Sequence, residues 1–210
     1  MFDAERARAL GLEAAEIDLL ASHPTPESFQ HFLLTLPYDK DAYFASFRQM
    51  LRRARADCFA GALAGAAWIS LHSHGPPLLI HMEAADIDHN LALYEREGRY
   101  GTLGASRSRS LTGKLPVFPS LRELVLSYYQ DYNDTDPDPT VLTLRGYSDP
   151  VDLRQFGNRW LTAEDNLTDI EDHLWSLRFH KLFPDRPGLY ARFPQEDGFY
   201  LAPRHLVENP

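Results

Sequence analysis

The order of hydrophobic periodicities in this chain predicts an α+β fold, with helices first, an antiparallel sheet in the middle and a mixed helical and hairpin C-terminal part. Two observations carry it. Three stretches before residue 56 repeat apolar residues at helical spacing, and the middle of the chain switches to strand alternation around a Glu97-Gly98 turn. A length of 210 residues with 44% hydrophobic residues is enough to bury a sizeable core and fits one domain over 1–210.

The first helix is expected over 3–21, where Leu10, Leu12, Ile17 and Leu20 recur among acids and arginines, with Gly11 as its weak point. The second starts after Thr25, with Pro26 at its first position and Phe29, Phe32 and Leu33 turned inward. The third, over 41–55, carries Tyr43, Phe44, Phe47, Met50 and Leu51 on one face. The helix after Asp57 differs in kind. Ala60, Gly61, Ala62, Ala64, Gly65, Ala66 and Ala67 leave it almost without side chains, and two glycines cost about 1 kcal/mol each against alanine unless close packing compensates. It is therefore expected at the centre of the fold.

After the His74-Gly75-Pro76-Pro77 turn, 78–82 reads as a buried strand, and a hairpin follows around Arg96-Glu97-Gly98-Arg99. Period-two alternation places His89, Leu91 and Leu93 on one face of its first strand and Asp88, Asn90, Ala92 and Tyr94 on the other. Ser120-Leu121-Arg122-Glu123 is a capping box that opens another helix. The acidic, proline-broken run over 131–139 reads as a surface loop without the glycine and glutamate positions of a calcium-binding loop. A short strand over 141–144, a long helix from Thr162 to about residue 182 and a hairpin over 188–201 complete the pattern.

Charge and composition narrow the function. A net charge of −9 disfavours general nucleic-acid binding, which needs clustered cations to release counterions. One cysteine excludes an internal disulfide and a cysteine-rich zinc site. The N-terminus carries no basic, apolar leader pattern and no stretch reaches the ~20 apolar residues of a membrane span, so the expectation is a cytoplasmic protein with no membrane and no nucleic-acid partner and no cofactor.

The candidate chemistry centres on that cysteine. Cys58 falls at the start of the small-residue helix, where unpaired backbone N–H groups and the helix dipole favour a thiolate and stabilise an oxyanion. Asp57 caps the helix, worth about 1 kcal/mol, but its charge opposes ionisation of the adjacent thiol. The alternative is a small buried cysteine with no chemistry. His89 is the expected partner, while His81, on the buried strand, is read as a core or edge histidine. A metal-dependent hydrolase built from Glu83, Asp86 and His89 would need a bulge, because alternation sends these residues to different faces.

Cysteine at a helix start, a strand, then histidine at the head of the next strand and a third residue one hairpin later is the order of the transglutaminase-like superfamily, a branch of the papain-like cysteine enzymes. The chain resembles it over 41–106, through Asp57-Cys58-Phe59-Ala60-Gly61-Ala62-Leu63 and Asp88-His89-Asn90-Leu91-Ala92-Leu93-Tyr94. It is also similar to a bacterial group of that superfamily through Arg99-Tyr100-Gly101-Thr102-Leu103-Gly104 and Ser120-Leu121-Arg122-Glu123-Leu124. The resemblance implies a papain-like core with 120–210 as a C-terminal extension, and acyl transfer from a peptide, protein or small amide or ester substrate, as an amidase, peptidase or transglutaminase-like enzyme. Cys58 would be the nucleophile and His89 the base. The family's third residue, an aspartate about fifteen positions beyond the histidine, is replaced here by Gly104-Ala105-Ser106, so Ser106 or a backbone carbonyl is expected to orient His89 and activity to be low. An inactive member of the fold, binding a peptide or small ligand in the groove beside Cys58, is the second implied reading.

Overall fold

The computed structural model describes residues 2–41, 44–133, 135, 136, 138 and 140–184. Two helices replace the first one expected. Gly11, at φ +86°, takes a left-handed conformation that ends α1 (Ala4–Ala9) and lets the chain turn into α2 (Ala14–Ser22). Thr25 and Ser28 cap α3 (Pro26–Thr35) reciprocally. The next helix, α4 (Phe47–Arg53), starts later than its apolar pattern implies, because Ser46 and Gln49 form a capping box that fixes the start there. Tyr43 lies outside the described residues.

The small-residue helix, α5 (Cys58–Leu71), is central, and from Phe59 onward all of it is buried. It lies on a sheet in which β1 (Leu78–Ala84), β2 (His89–Arg96) and β3 (Arg99–Leu103) are consecutive antiparallel neighbours. Glu97 and Gly98, both at positive φ, make the two-residue turn between β2 and β3. On the far side of β1 come β4 (Leu144–Ser148) and β6 (Phe179–Lys181), while β5 (Val151–Asp152) pairs with the opening of β1. Within this sheet the pairings of the described strands are antiparallel.

The glycines of α5 explain its closeness to the sheet. A Cβ on Gly65 would stand 2.8 Å from the Ala92 Cβ and 2.9 Å from the Leu103 Cβ, and one on Gly61 would stand 2.6 Å from the Ala105 Cβ. The helix therefore rides on the face of β2 and β3 formed by Ala92 and Leu103, together with Leu79 of β1. Phe29, Phe47, Phe59, Leu63 and Trp68 fill this layer around it. The opposite face carries Ile80, Met82, Leu91 and Leu93 and is covered by α6 (Leu121–Tyr129), with Leu124, Val125, Tyr128 and Tyr132. Ser120 caps α6 by accepting the Glu123 N–H at 3.2 Å, but the expected capping box is half formed, because the Glu123 carboxylate accepts from the Ser120 hydroxyl at 3.1 Å and not from its backbone N–H.

The C-terminal part departs furthest from the expected pattern. Thr162 ends a helix instead of starting one: α7 (Arg159–Thr162) is a single turn, α8 (Thr168–Trp175) follows, and the chain then extends into β6. The strand expected over 141–144 forms three residues later as β4. The hairpin expected over 188–201 lies outside the described residues. Among the described residues no helix is long and apolar enough to cross a membrane.

Candidate active site

Cys58 occupies the first position of α5, half-buried, and lines a cleft of about 470 Å³. The adjacent Asp57 caps the helix by accepting the Ala60 N–H at 2.8 Å. Burial pushes the Asp57 carboxyl up to about 6, with the nearby charge of Asp39 adding to the effect. Phe44, Phe59, Asp88 and Asn90 are among the other walls, and Glu171, Leu174 and Trp175 of α8 close one side.

The histidine in this cleft is His81. Because α5 sits on the Leu79 and Ala92 face, the side chains of His81 and Asn90, which are cross-strand partners in β1 and β2, point to the same layer as Cys58. The helix also runs in the right direction: Gly65 lies against Ala92, Gly61 against Ala105 just past β3, and Cys58 is about 4.5 Å further along the axis at 1.5 Å per residue. That end of the sheet is the one at which β1 finishes and β2 begins, where His81 and Asn90 stand.

His81 is 2% exposed. Its Nδ1 lies 2.8 Å from Asn90 Oδ1, so with the amide oxygen as acceptor Nδ1 holds the ring proton and Nε2 has its lone pair free. Nε2 is buried without a hydrogen bond and sits 3.3 Å from Asp88 Oδ2, outside good hydrogen-bond alignment. The other Asp88 oxygen accepts the Ala84 N–H at 2.8 Å. Burial acts to raise the Asp88 pKa, but the His81 ring and this N–H outweigh it and hold the carboxyl below its ordinary value.

His89 is elsewhere. As its alternation predicts, it shares a face with Leu91 and Leu93, but that face belongs to α6 and not to the cysteine helix. Its Nε2 bonds the Leu111 carbonyl at 2.7 Å, and its ring meets Tyr132 edge-on at 6.4 Å. Full burial drives its pKa down to about 4 despite the carbonyl. The sheet thus separates Cys58 from His89, and the expected pair is not brought together. Ser106 is also apart: its hydroxyl accepts the Ser108 N–H at 3.1 Å and it does not line the cleft. The metal set Glu83, Asp86 and His89 fails for the same reason of facing, and among the described residues no group of three or more His, Cys, Asp and Glu side chains is placed to hold a metal.

Sequence reasoning therefore missed His81, Asp88 and Asn90. The signal that finds them is size. A helix stripped to alanine and glycine needs a shallow surface, and on β2 only the Asn90, Ala92 face offers one, since the other presents His89, Leu91 and Leu93.

These observations describe a mixed α/β protein with an open antiparallel sheet, carrying a cysteine at a helix start and a buried histidine across one cleft. No protein-family model matches the chain, and no curated protein is similar to it.

Proposed function

We propose that the cleft is a thiol acyl-transfer site of the transglutaminase-like, papain-like kind, with His81 in the role that the sequence suggested for His89. Cys58 Sγ gives its proton to His81 Nε2 and attacks the carbonyl carbon of an amide or ester. The C–O double bond opens to an oxyanion, which N–H groups at the start of α5 stabilise. The imidazolium returns the proton to the leaving amine or alcohol as its bond to carbon breaks, and water or an amine then releases the acyl group from the thioester. Asn90 holds the ring tautomer through Nδ1, and the Asp88 carboxylate stabilises the imidazolium. A neutral amide as orienting partner is compatible with such chemistry, as cysteine–histidine–asparagine sites use one.

The observation that carries this reading is a histidine 2% exposed whose Nε2 has no hydrogen bond and which lines the cleft that Cys58 enters. The test is the pH dependence of Cys58 alkylation by iodoacetamide, with Cys58→Ala as the blank. The midpoint should lie below the ordinary thiol value of about 8.5 and rise in His81→Gln. A midpoint at the ordinary value, unmoved by His81→Gln, overturns the proposal and leaves the cleft as a binding groove.

A further inference from the structure

The cleft has an acidic and aromatic wall that the chemistry above does not use. Glu171 and Trp175 are four residues apart on α8 and so are neighbours on one face of it, and both line the cleft. Glu171 is 8% exposed, and its carboxylate has no ion pair or hydrogen bond among the described residues. Partial burial, with Asp172 beside it, raises its pKa, as expected of a carboxylate without a counter-charge. Trp175 is the reverse case: a large apolar side chain left 62% exposed at the rim. Asp57, Asp86 and Asp88 also line the cleft, and no lysine or arginine does. Two guanidinium groups are already engaged, Arg53 with Asp39 at 2.7 Å and Arg107 at 5.7 Å over the ring of Tyr38, which itself lines the cleft.

We infer that the cleft recognises an arginine side chain of a peptide, its guanidinium stacked on Trp175 and paired with Glu171. A guanidinium is planar, so it covers an indole face, and its fork of N–H donors matches both oxygens of a carboxylate. It is also more weakly hydrated than an ammonium, which lowers the cost of entering a half-enclosed site beside an unpaired carboxylate. The net charge of −9 draws cationic peptides toward the protein. As a statement about substrate this rests on the acyl-transfer reading; as a statement about binding it does not, because neither Glu171 nor Trp175 takes part in the chemistry.

The experiment uses the full chain as Cys58→Ala, which cannot react, and the probe acetyl-Gly-Arg-Gly-amide with its citrulline and lysine analogues. Trp68 and Trp160 are buried, so Trp175 is the one exposed indole of the three and reports through its fluorescence, with calorimetry alongside. The arginine peptide should give a saturable change that weakens with salt, and the neutral citrulline isostere should bind at least about ten-fold more weakly. Glu171→Gln should remove that preference, and Trp175→Ala, at an exposed position, should weaken arginine binding measured by calorimetry. Absence of saturable binding, equal affinity for citrulline, or lysine binding as tightly as arginine overturns the inference. An inert Cys58 in a protein that still selects arginine removes the acyl-transfer reading alone, and a reactive Cys58 without arginine preference removes this one alone.

Discussion

His81 and His89 lie on adjacent strands, one residue out of register, and both are almost wholly buried, yet the two faces of the sheet treat them in opposite ways. On the α6 face His89 is packed as core: the Leu111 carbonyl takes Nε2, tyrosines and leucines surround it, and burial keeps it neutral. On the α5 face His81 has one nitrogen held by Asn90 and the other left toward a cleft beside a carboxylate and a thiol. The same residue type serves as core on one side and stands open on the other. Burial alone does not separate them; the layer each one faces does, since His81 lines the cleft with Cys58 and His89 does not.

The largest expected effect tests that contrast directly. His81→Gln should slow any hydrolysis of activated esters by about a hundred-fold or more, the usual scale for loss of a general base, and Cys58 alkylation at neutral pH by up to about thirty-fold, the ratio of a full thiolate to the fraction an ordinary thiol carries there. His89→Gln should leave both rates within about two-fold of the native protein, since that site does not reach the cleft. Equal effects of the two substitutions, compared in folded variants, would erase the distinction between the faces.

Stability should show the contrast in reverse. His89 has its pKa lowered from 6.5 to about 4, so between these values the unfolded chain binds more protons than the folded one, and stability falls as the pH drops through that window. The difference amounts to about 3 kcal/mol at pH 4 for this one group. In His89→Gln, which keeps a donor for the Leu111 carbonyl but does not titrate, the loss between pH 7 and pH 4.5 in urea unfolding should be smaller than in the native protein. An unchanged loss would mean that His89 does not carry it.

The seam beneath α5 gives the next effect. Gly65→Ala adds helix propensity worth about 1 kcal/mol, but its new Cβ would meet Ala92 and Leu103 at less than 3 Å, and overpacking of this kind costs about 1–3 kcal/mol. The net result should be destabilisation, read as a lower urea midpoint with an unchanged slope. A stabilised variant would show that the helix can lift away from the sheet without cost.

Much of this architecture was legible because it is written locally. Thr25 and Ser120 announce their helices through side chains within three residues, Glu97-Gly98 turns its hairpin, and β2 alternates as its letters say. Alternation, however, gives two faces without saying which one the cysteine helix covers. That choice is tertiary, set by Gly61 and Gly65 meeting Ala92, Leu103 and Ala105, and it moved the candidate base from His89 to His81 while leaving Cys58 in place. Residues 159–181 were misread for a related reason. Leu167, Ile170 and Leu174 fit one helical stripe, but the stripe stops at Trp175, after which 179–181 pairs with β4, and such pairing has no signature within the segment itself.

The smallest effect concerns the charge beside the nucleophile. Asp57 has its pKa raised to about 6 from 3.8, so over that window the folded chain holds a proton the unfolded chain has lost, and stability declines as the pH rises through it. Above pH 6 the ionised carboxylate lies next to Cys58 in the chain and opposes formation of the thiolate. Asn is as good a cap as Asp, so Asp57→Asn should keep the bond to the Ala60 N–H and abolish this decline of stability, which is complete above pH 6. A second effect should appear in the thiol: the alkylation midpoint should move down by about one pH unit or less, with no counterpart when an acid outside the cleft, such as Asp152, is neutralised. A midpoint that stays or rises in a folded Asp57→Asn variant would mean that Asp57 is protonated throughout the working range, or that its charge is screened from Cys58, and the N-terminal turn of α5 would then act on the thiol through its N–H groups alone.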